Sequence, residues 1–188
     1  MDVFLETERL VLRRLTESDV DNLVELDGDP AVMRFLTNGR PTPREVVERE
    51  LLPRLLREYD INGGLGTWAA VERSSGAFLG WFELRPRDGD RTDVELGYRL
   101  RAAAWGRGYA TEGSRALIAK AFTDLGVERV WAETMAVNTR SRRVMERSGL
   151  RHVRTFHVDF DDPIPGTEHG EVEYELLRRD WERVAGDA

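Results

Sequence analysis

Residues 104–122, AWGRGYATEGSRALIAKAF, set two glycines around one arginine and run straight into an amphipathic segment. The run before them, DVELGYRL, is strand-like. Strand, glycine turn, helix is an arrangement that binds anions. Backbone N–H groups at a helix N-terminus point outward unpaired, beside the positive end of the helix dipole. Gly106 and Gly108 allow close approach of the backbone, and Arg107 could add charge. A sharp turn with no ligand would use the same glycines, so the pattern around them has to decide. A Walker loop needs GxxxxGK[ST], and no lysine stands here to reach phosphates. A dinucleotide fingerprint needs GxGxxG and an acid about 20 residues on. Gly106 and Gly108 match, but the third position is Thr111, and Glu128 opens the next strand where the ribose acid should end one. Both readings are rejected.

The elements around the turn follow from periodicity. RLVLRRL gives a strand over Arg9 to Arg14, and TESDVDNLVELD a helix capped by Thr16 with Val20, Leu23, Val24 and Leu26 as its stripe. TPREVVERELLPRLLREYD predicts a second helix, with Thr42, Pro43 and Glu45 as a capping box and a kink at Pro53. GTWAAVER and AFLGWFELR, joined by SSG, read as a hairpin, and TDVELGYRL as the third strand of that meander. A helix follows from about Gly108, with Leu117, Ile118, Ala121, Phe122 and Leu125 on one face and Gly126 at its end. VERVWAET is a strand, and NTRSRRVMERSG a helix capped by Asn138. LRHVRTFHVDF and GEVEYELLR close the chain as strands. The order β-α-α-β-β-β-α-β-α-β-β is an α/β layer fold, a mixed sheet with helices on its faces.

Two groupings could do further chemistry. Strand alternation puts Asp93, Glu95 and Arg99 on one face and Val94, Leu96, Tyr98 and Leu100 on the other. Asn138 and Ser141 lie one helical turn apart and share a face. His152 and His157, five apart on a strand, face opposite ways, and with His169 they suggest no metal site. Asp159, Asp161, Asp162, Glu168 and Glu171 crowd one loop, whose spacing fits no EF-hand.

Length and composition narrow the class. The 188 residues suit one domain, 1–188, and 40% hydrophobic with 34% charged content is an ordinary soluble profile. No apolar run approaches the roughly 20 residues of a membrane span. MDVFLETERL lacks the basic start and apolar core of a signal peptide, so a cytoplasmic location is the expectation. A net charge of -7 argues against general nucleic-acid binding. Cysteine is absent, which removes disulfides, thiolate metal sites and cysteine nucleophiles. Of 28 basic residues only Lys120 is lysine, a skew that points to genome composition rather than mechanism.

The third anion reading is coenzyme A, and here nearly the whole chain resembles the GNAT acetyltransferase superfamily. The family's acetyl-coenzyme A loop, [QR]xxGx[GA], aligns with Trp105, Gly106, Arg107, Gly108, Tyr109 and Ala110. Trp105 departs from the usual Gln or Arg, but WGxGYATE resembles the Rim-type branch that acetylates ribosomal-protein N-termini. TERLVLRRL, DPAVMRFL, NTRSRRVMERSGL and EYELLRRDW extend the likeness. The resemblance implies a mostly antiparallel sheet that splays at the cofactor site. It implies acetyl-coenzyme A as co-substrate, no metal, and transfer of the acetyl group to a primary amine. Backbone amides from Trp105 to Ala110, with the Thr111 hydroxyl, would hold the pyrophosphate. Backbone groups near Leu100 and Arg101 would pair with the pantetheine, and an N–H near Tyr98 to Leu100 would polarise the thioester. By the same likeness Glu95 stands where some members carry a basic glutamate, acting directly or through a water chain; facing solvent or pairing with an arginine is its other reading. Asn138 would bind pantetheine, and Ser141, near the sulfur, would protonate the leaving thiolate. Tyr174 on the last strand is the other candidate acid, or a core tyrosine. The acceptor expected first is a protein N-terminus and second a small polyamine or drug-like amine, drawn by an acidic rim; a silent acetyl-coenzyme A sensor is the alternative. No nucleic acid and no membrane are expected as partners, and a homodimer is compatible.

Overall fold

The computed structural model describes residues 2–186; residues 1, 187 and 188, the ends of the expected 1–188 domain, lie outside the described residues. Two strands, β1 (Val3–Glu6) and β2 (Leu10–Arg14), precede the first helices. These are α1 (Val20–Gly28), α2 (Pro30–Thr37), the single turn α3 (Arg44–Val46) and α4 (Leu52–Ile61), the last two joined through a π-helical turn at Val47–Leu51. The meander β3 (Thr67–Glu72), β4 (Phe78–Arg87) and β5 (Asp90–Leu100) leads through the glycine turn into α5 (Tyr109–Asp124). Then come β6 (Arg129–Met135), α6 (Thr139–Arg147), β7 (Arg151–Phe156), β8 (Glu171–Leu177) and α7 (Arg178–Gly186).

The eight strands make one sheet in the order β1-β2-β3-β4-β5-β6-β8-β7. Every neighbouring pair is antiparallel except β5 and β6. Strand alternation divides the core between the two faces of this sheet. Trp68, Ala70, Phe82, Leu84, Val94 and Leu96 pack with Leu117, Ile118, Ala121 and Phe122 of α5. Ala69 and Phe78 look the other way, onto Leu23 and Leu26 of α1 and onto Val47, Leu52 and Leu55. Helices therefore cover both faces, and each fully buried Leu or Phe contributes about 1.5–3 kcal/mol.

Local expectations fared unequally. The Asp19 carboxylate accepts from the Thr16 N–H at 2.9 Å, the returning half of a capping box. Thr42 does not cap the second helix. Its N–H and hydroxyl donate to the carbonyl and carboxylate of buried Asp27, at 3.2 and 3.4 Å, and the helix starts two residues later. The irregularity expected at Pro53 is the π turn just before it, where the missing N–H leaves the Arg49 carbonyl without its usual partner. Three elements were unforeseen. β1 holds through Phe4, stacked on Trp68 at 4.0 Å; α7 through Trp181, 5.6 Å from Phe122; and α2 begins where the Asp29 carboxylate accepts from Ala31 N–H at 2.8 Å.

Candidate active site

β5 and β6 run side by side only from Asp93 opposite Arg129 to Glu95 opposite Trp131. Beyond that point β5 continues to Leu100 and β6 to Met135 with no pairing between them. The sheet splays there, as the resemblance implied. The Arg101 N–H donates to the Leu79 carbonyl at 2.8 Å. Antiparallel alternation then directs the odd-numbered backbone groups of β5 to β4 and those of Leu96, Tyr98 and Leu100 into the gap. The Arg101 N–H is thus taken by β4, its carbonyl accepts from the Ala104 N–H at 2.9 Å, and its side chain bonds Glu25 at 2.9 Å. The Leu100 carbonyl accepts from the Trp105 indole at 2.8 Å, which leaves its N–H facing the gap.

The glycine turn stands at the end of this gap. Gly106 and Gly108 have φ of 73° and 86°, the left-handed region that glycine occupies without strain, and Gly108 is the N-cap of α5. Among the described residues no protein acceptor takes the N–H groups of Gly106, Arg107, Gly108, Tyr109, Ala110 or Thr111. A groove of about 720 Å³ beside them is lined by Gly108, Thr111, Arg115 and Arg147 and also by Glu6, Glu8 and Glu112. Arg107 is not free to add charge: its guanidinium pairs with Glu72 at 3.3 Å. The Tyr109 side chain is buried and its hydroxyl donates to the same carboxylate. Arg9, which sequence reasoning missed, holds the turn from β2's side. It donates to the Arg107 carbonyl at 2.9 Å and pairs with Glu112 at 2.6 Å. Arg140 is a second omission, its guanidinium 5.0 Å from the Trp105 ring. A Gly108→Val variant would force a β-branched residue to positive φ. It should bind coenzyme A at least tenfold more weakly in calorimetric titration, about 1.4 kcal/mol; unchanged affinity in the folded variant would remove this turn from the binding site.

On the α5 and α6 side of the gap, Asn138 caps α6 by accepting from the Ser141 N–H at 3.3 Å, and it donates to the Thr134 hydroxyl at 3.1 Å. Tyr98 and Ser141 share a 2.9 Å hydrogen bond between hydroxyls, and the Tyr98 hydroxyl lies 3.2 Å from the Ser141 carbonyl. Burial pushes the Tyr98 phenol up to about 12, so it keeps its proton. Sequence reasoning assigned Tyr98 a place on a strand face and a candidate polarising N–H but no role for its hydroxyl, because a hydroxyl partner 43 residues away leaves no local signal. Tyr174 differs. Its hydroxyl donates to Glu146 at 2.9 Å and accepts from Arg142 at 3.1 Å, and the residue is buried in the core. That is the core-packing alternative, with the proton already committed.

On the opposite face, Trp81, Glu83 and Arg85 of β4 stand directly across from Arg99, Gly97 and Glu95 of β5. Glu95 is in an ion pair with Arg85. Glu83, another omission, fills the space that Gly97 leaves. A Cβ at position 97 would sit 2.4 Å from Glu83 Oε1. Burial raises the Glu83 carboxyl above the usual carboxylate range, against the pull of Arg85 and with the push of Glu95. Glu133, on the β6 edge of the gap, is raised by burial and by the charges of Glu95 and Glu173; Glu171 is raised by burial and Glu133. Of the acidic loop, Asp162 reaches Arg40, in the link between α2 and α3, at 2.5 Å. Among the described residues no group of three or more His, Asp or Glu could hold a metal, and no helix is long and apolar enough to cross a membrane.

A sheet splayed between two parallel strands, with open amides at the start of the helix that follows β5, is the arrangement that the resemblance to the acetyl-coenzyme A-dependent GNAT transferases implied. The chain belongs to the GNAT acetyltransferases: residues 9–151 match the family model described as the acetyltransferase (GNAT) domain. It is 39% identical over 188 residues to the FsC-acetyl coenzyme A-N(2)-transacetylase of Aspergillus fumigatus, covering 96% of this chain and 78% of that protein. Among solved structures, RimL, a ribosomal L7/L12 alpha-N-protein acetyltransferase in complex with coenzyme A, superposes with a TM-score of 0.79. It shares 16% identity and covers 94% of this chain and 98% of that one. The spermidine N-acetyltransferase of Vibrio cholerae, in complex with coenzyme A and spermine, gives 0.76 at 15% identity, covering 94% and 99%. At such identities these two speak for the fold alone. The protein is an N-acetyltransferase that uses acetyl-coenzyme A.

Proposed function

We propose that the acetyl group goes to a primary amine on a small cationic molecule. The carrying observation is the face of the splayed sheet where Glu83, Glu133 and Glu171 form no ion pair among the described residues, Arg85 acting on Glu83 and Arg85 and Arg87 on Glu133 only at longer range. Carboxyl groups without a paired cation beside the reacting carbon attract an ammonium and disfavour anionic acceptors. The likeness to an N(2)-transacetylase supports an amine of this kind. In this reading the N–H groups of Tyr98 and Leu100 polarise the thioester carbonyl, the open amides from Gly106 to Thr111 hold the pyrophosphate, and Ser141 supplies the thiolate's proton. Residues 1–188 act as one catalytic domain.

A protein N-terminus is the second reading, favoured by the WGxGYATE turn. Thiol release measured with 1,4-diaminobutane, an aminoglycoside and alanyl and seryl peptides separates the two. Turnover highest on the small polycations is expected; preference for the peptides at matched concentration would reverse the assignment.

A further inference from the structure

We infer that Glu83, rather than Glu95, is the general base that takes the proton from the acceptor's ammonium. The inference rests on the primary-amine reading above. Glu83 lies opposite Gly97 in the β4–β5 register, and the missing side chain at position 97 is what admits its carboxylate. A Cβ there would meet Glu83 Oε1 at 2.4 Å and its Cγ at 2.7 Å. The carboxylate therefore lies over the β5 backbone one residue before Tyr98, whose N–H opens into the gap where β5 and β6 have parted. An amine attacking a carbonyl held at that N–H from this face arrives beside Glu83.

Glu95 is placed less well. It sits at the last position where β5 and β6 are still paired, below the gap, and its carboxylate is occupied by the Arg85 guanidinium. Glu83 has the Thr67 hydroxyl at 3.2 Å as its hydrogen-bond partner. The charged groups that face it are Arg85 on its own strand, Glu95 on β5 and Glu58 on α4. Burial raises its proton affinity toward the working pH, where a base is most effective.

The step balances without further reagents. The ammonium N–H breaks and a carboxyl O–H forms on Glu83. The freed nitrogen lone pair attacks the thioester carbon, the tetrahedral intermediate loses a second N–H proton to solvent and expels the thiolate with cleavage of C–S, and the thiolate takes a proton from Ser141, which regains one from solvent. Glu83 then releases its proton to solvent, so amide, coenzyme A and one proton leave.

The test compares two acceptors: the fastest primary alkylamine of the panel, protonated at neutral pH, and phenylhydrazine, whose terminal nitrogen is already neutral. Glu83→Gln should lose about 100-fold or more in kcat on the alkylamine. It should lose less than about fivefold on phenylhydrazine and bind coenzyme A as the wild type does. Only the ionised carboxylate accepts a proton, so the wild-type acid limb, set above the usual carboxylate range, should vanish in the variant. Gly97→Ala, whose Cβ displaces the flexible carboxylate, should lose alkylamine activity likewise and add nothing to Glu83→Gln. Glu95→Gln should lose far less. Equal losses on both acceptors, or a Glu83→Gln enzyme within threefold of wild type, would overturn the inference while leaving the amine reading intact. Failure of the wild type itself to acetylate any primary alkylamine would overturn both.

Discussion

Gly80→Ala should destabilise the protein by at least about 3 kcal/mol, the sum of backbone strain and a steric clash. Gly80 has φ of 139°, outside the range that an L side chain adopts readily, at an irregularity in the β3–β4 pairing. A Cβ added there would stand 2.0 Å from the Arg99 carbonyl oxygen and 2.7 Å from Leu100 Cα. Those contacts are backbone, in the middle of a sheet, and they cannot swing aside as a side-chain tip can. The shift must be taken by β4 or by the end of β5, the stretch whose Leu100 N–H faces the gap. For a chain of this size the expected drop in Tm is about 6–12 °C, read by calorimetry or circular dichroism. KM for acetyl-coenzyme A should rise with it. A variant that melts within 2 °C of the wild type, roughly the shift from under 1 kcal/mol, would show that the sheet yields freely at this point.

Ser141→Ala should lower kcat by about ten- to a hundredfold with little change in KM for acetyl-coenzyme A. The thiolate leaving group needs a proton after the intermediate collapses, and Ser141 stands in the first turn of α6, where developing negative charge is favoured. Tyr98 bears directly on this. The Ser141 carbonyl can only accept, so while the Tyr98 proton points at it, the serine hydroxyl is free to donate to the phenol oxygen. Once a thiolate arrives, the Tyr98 proton can turn to Ser141 Oγ and the serine proton to sulfur. Tyr98→Phe removes one hydroxyl and leaves the ring packed near Phe82, 6.1 Å away. It should cost about fivefold in kcat in the wild type and nothing further in Ser141→Ala, a coupling that a packing role would not produce. Full kcat in Ser141→Ala would move the acid elsewhere; Tyr174 is a poor successor, since its proton already serves Glu146.

The parts of this protein that the sequence determined are those set by neighbours a few residues apart. The strand, glycine turn and α5 follow from apolar spacing and from two positions that tolerate positive φ, and Asn138 caps α6 through a bond to a group three residues on. α2 was legible too: Asp29, Pro30 and left-handed Asn38 are ordinary start and stop signals of a short helix. The capping box at Thr42 had the right letters, and only the buried Asp27 carboxylate, 15 residues away, redirected the threonine. The candidate site divides the same way. The coenzyme turn could be read because its amides are local groups. The acid–base chemistry could not, because it depends on register. Glu83 becomes a free, proton-hungry carboxylate only when β4 lays it over Gly97, and Glu95 loses its freedom only when β4 brings Arg85 beside it. Which carboxylate is buried and which is paired is a property of strands brought together across a sheet, and no local pattern carries it.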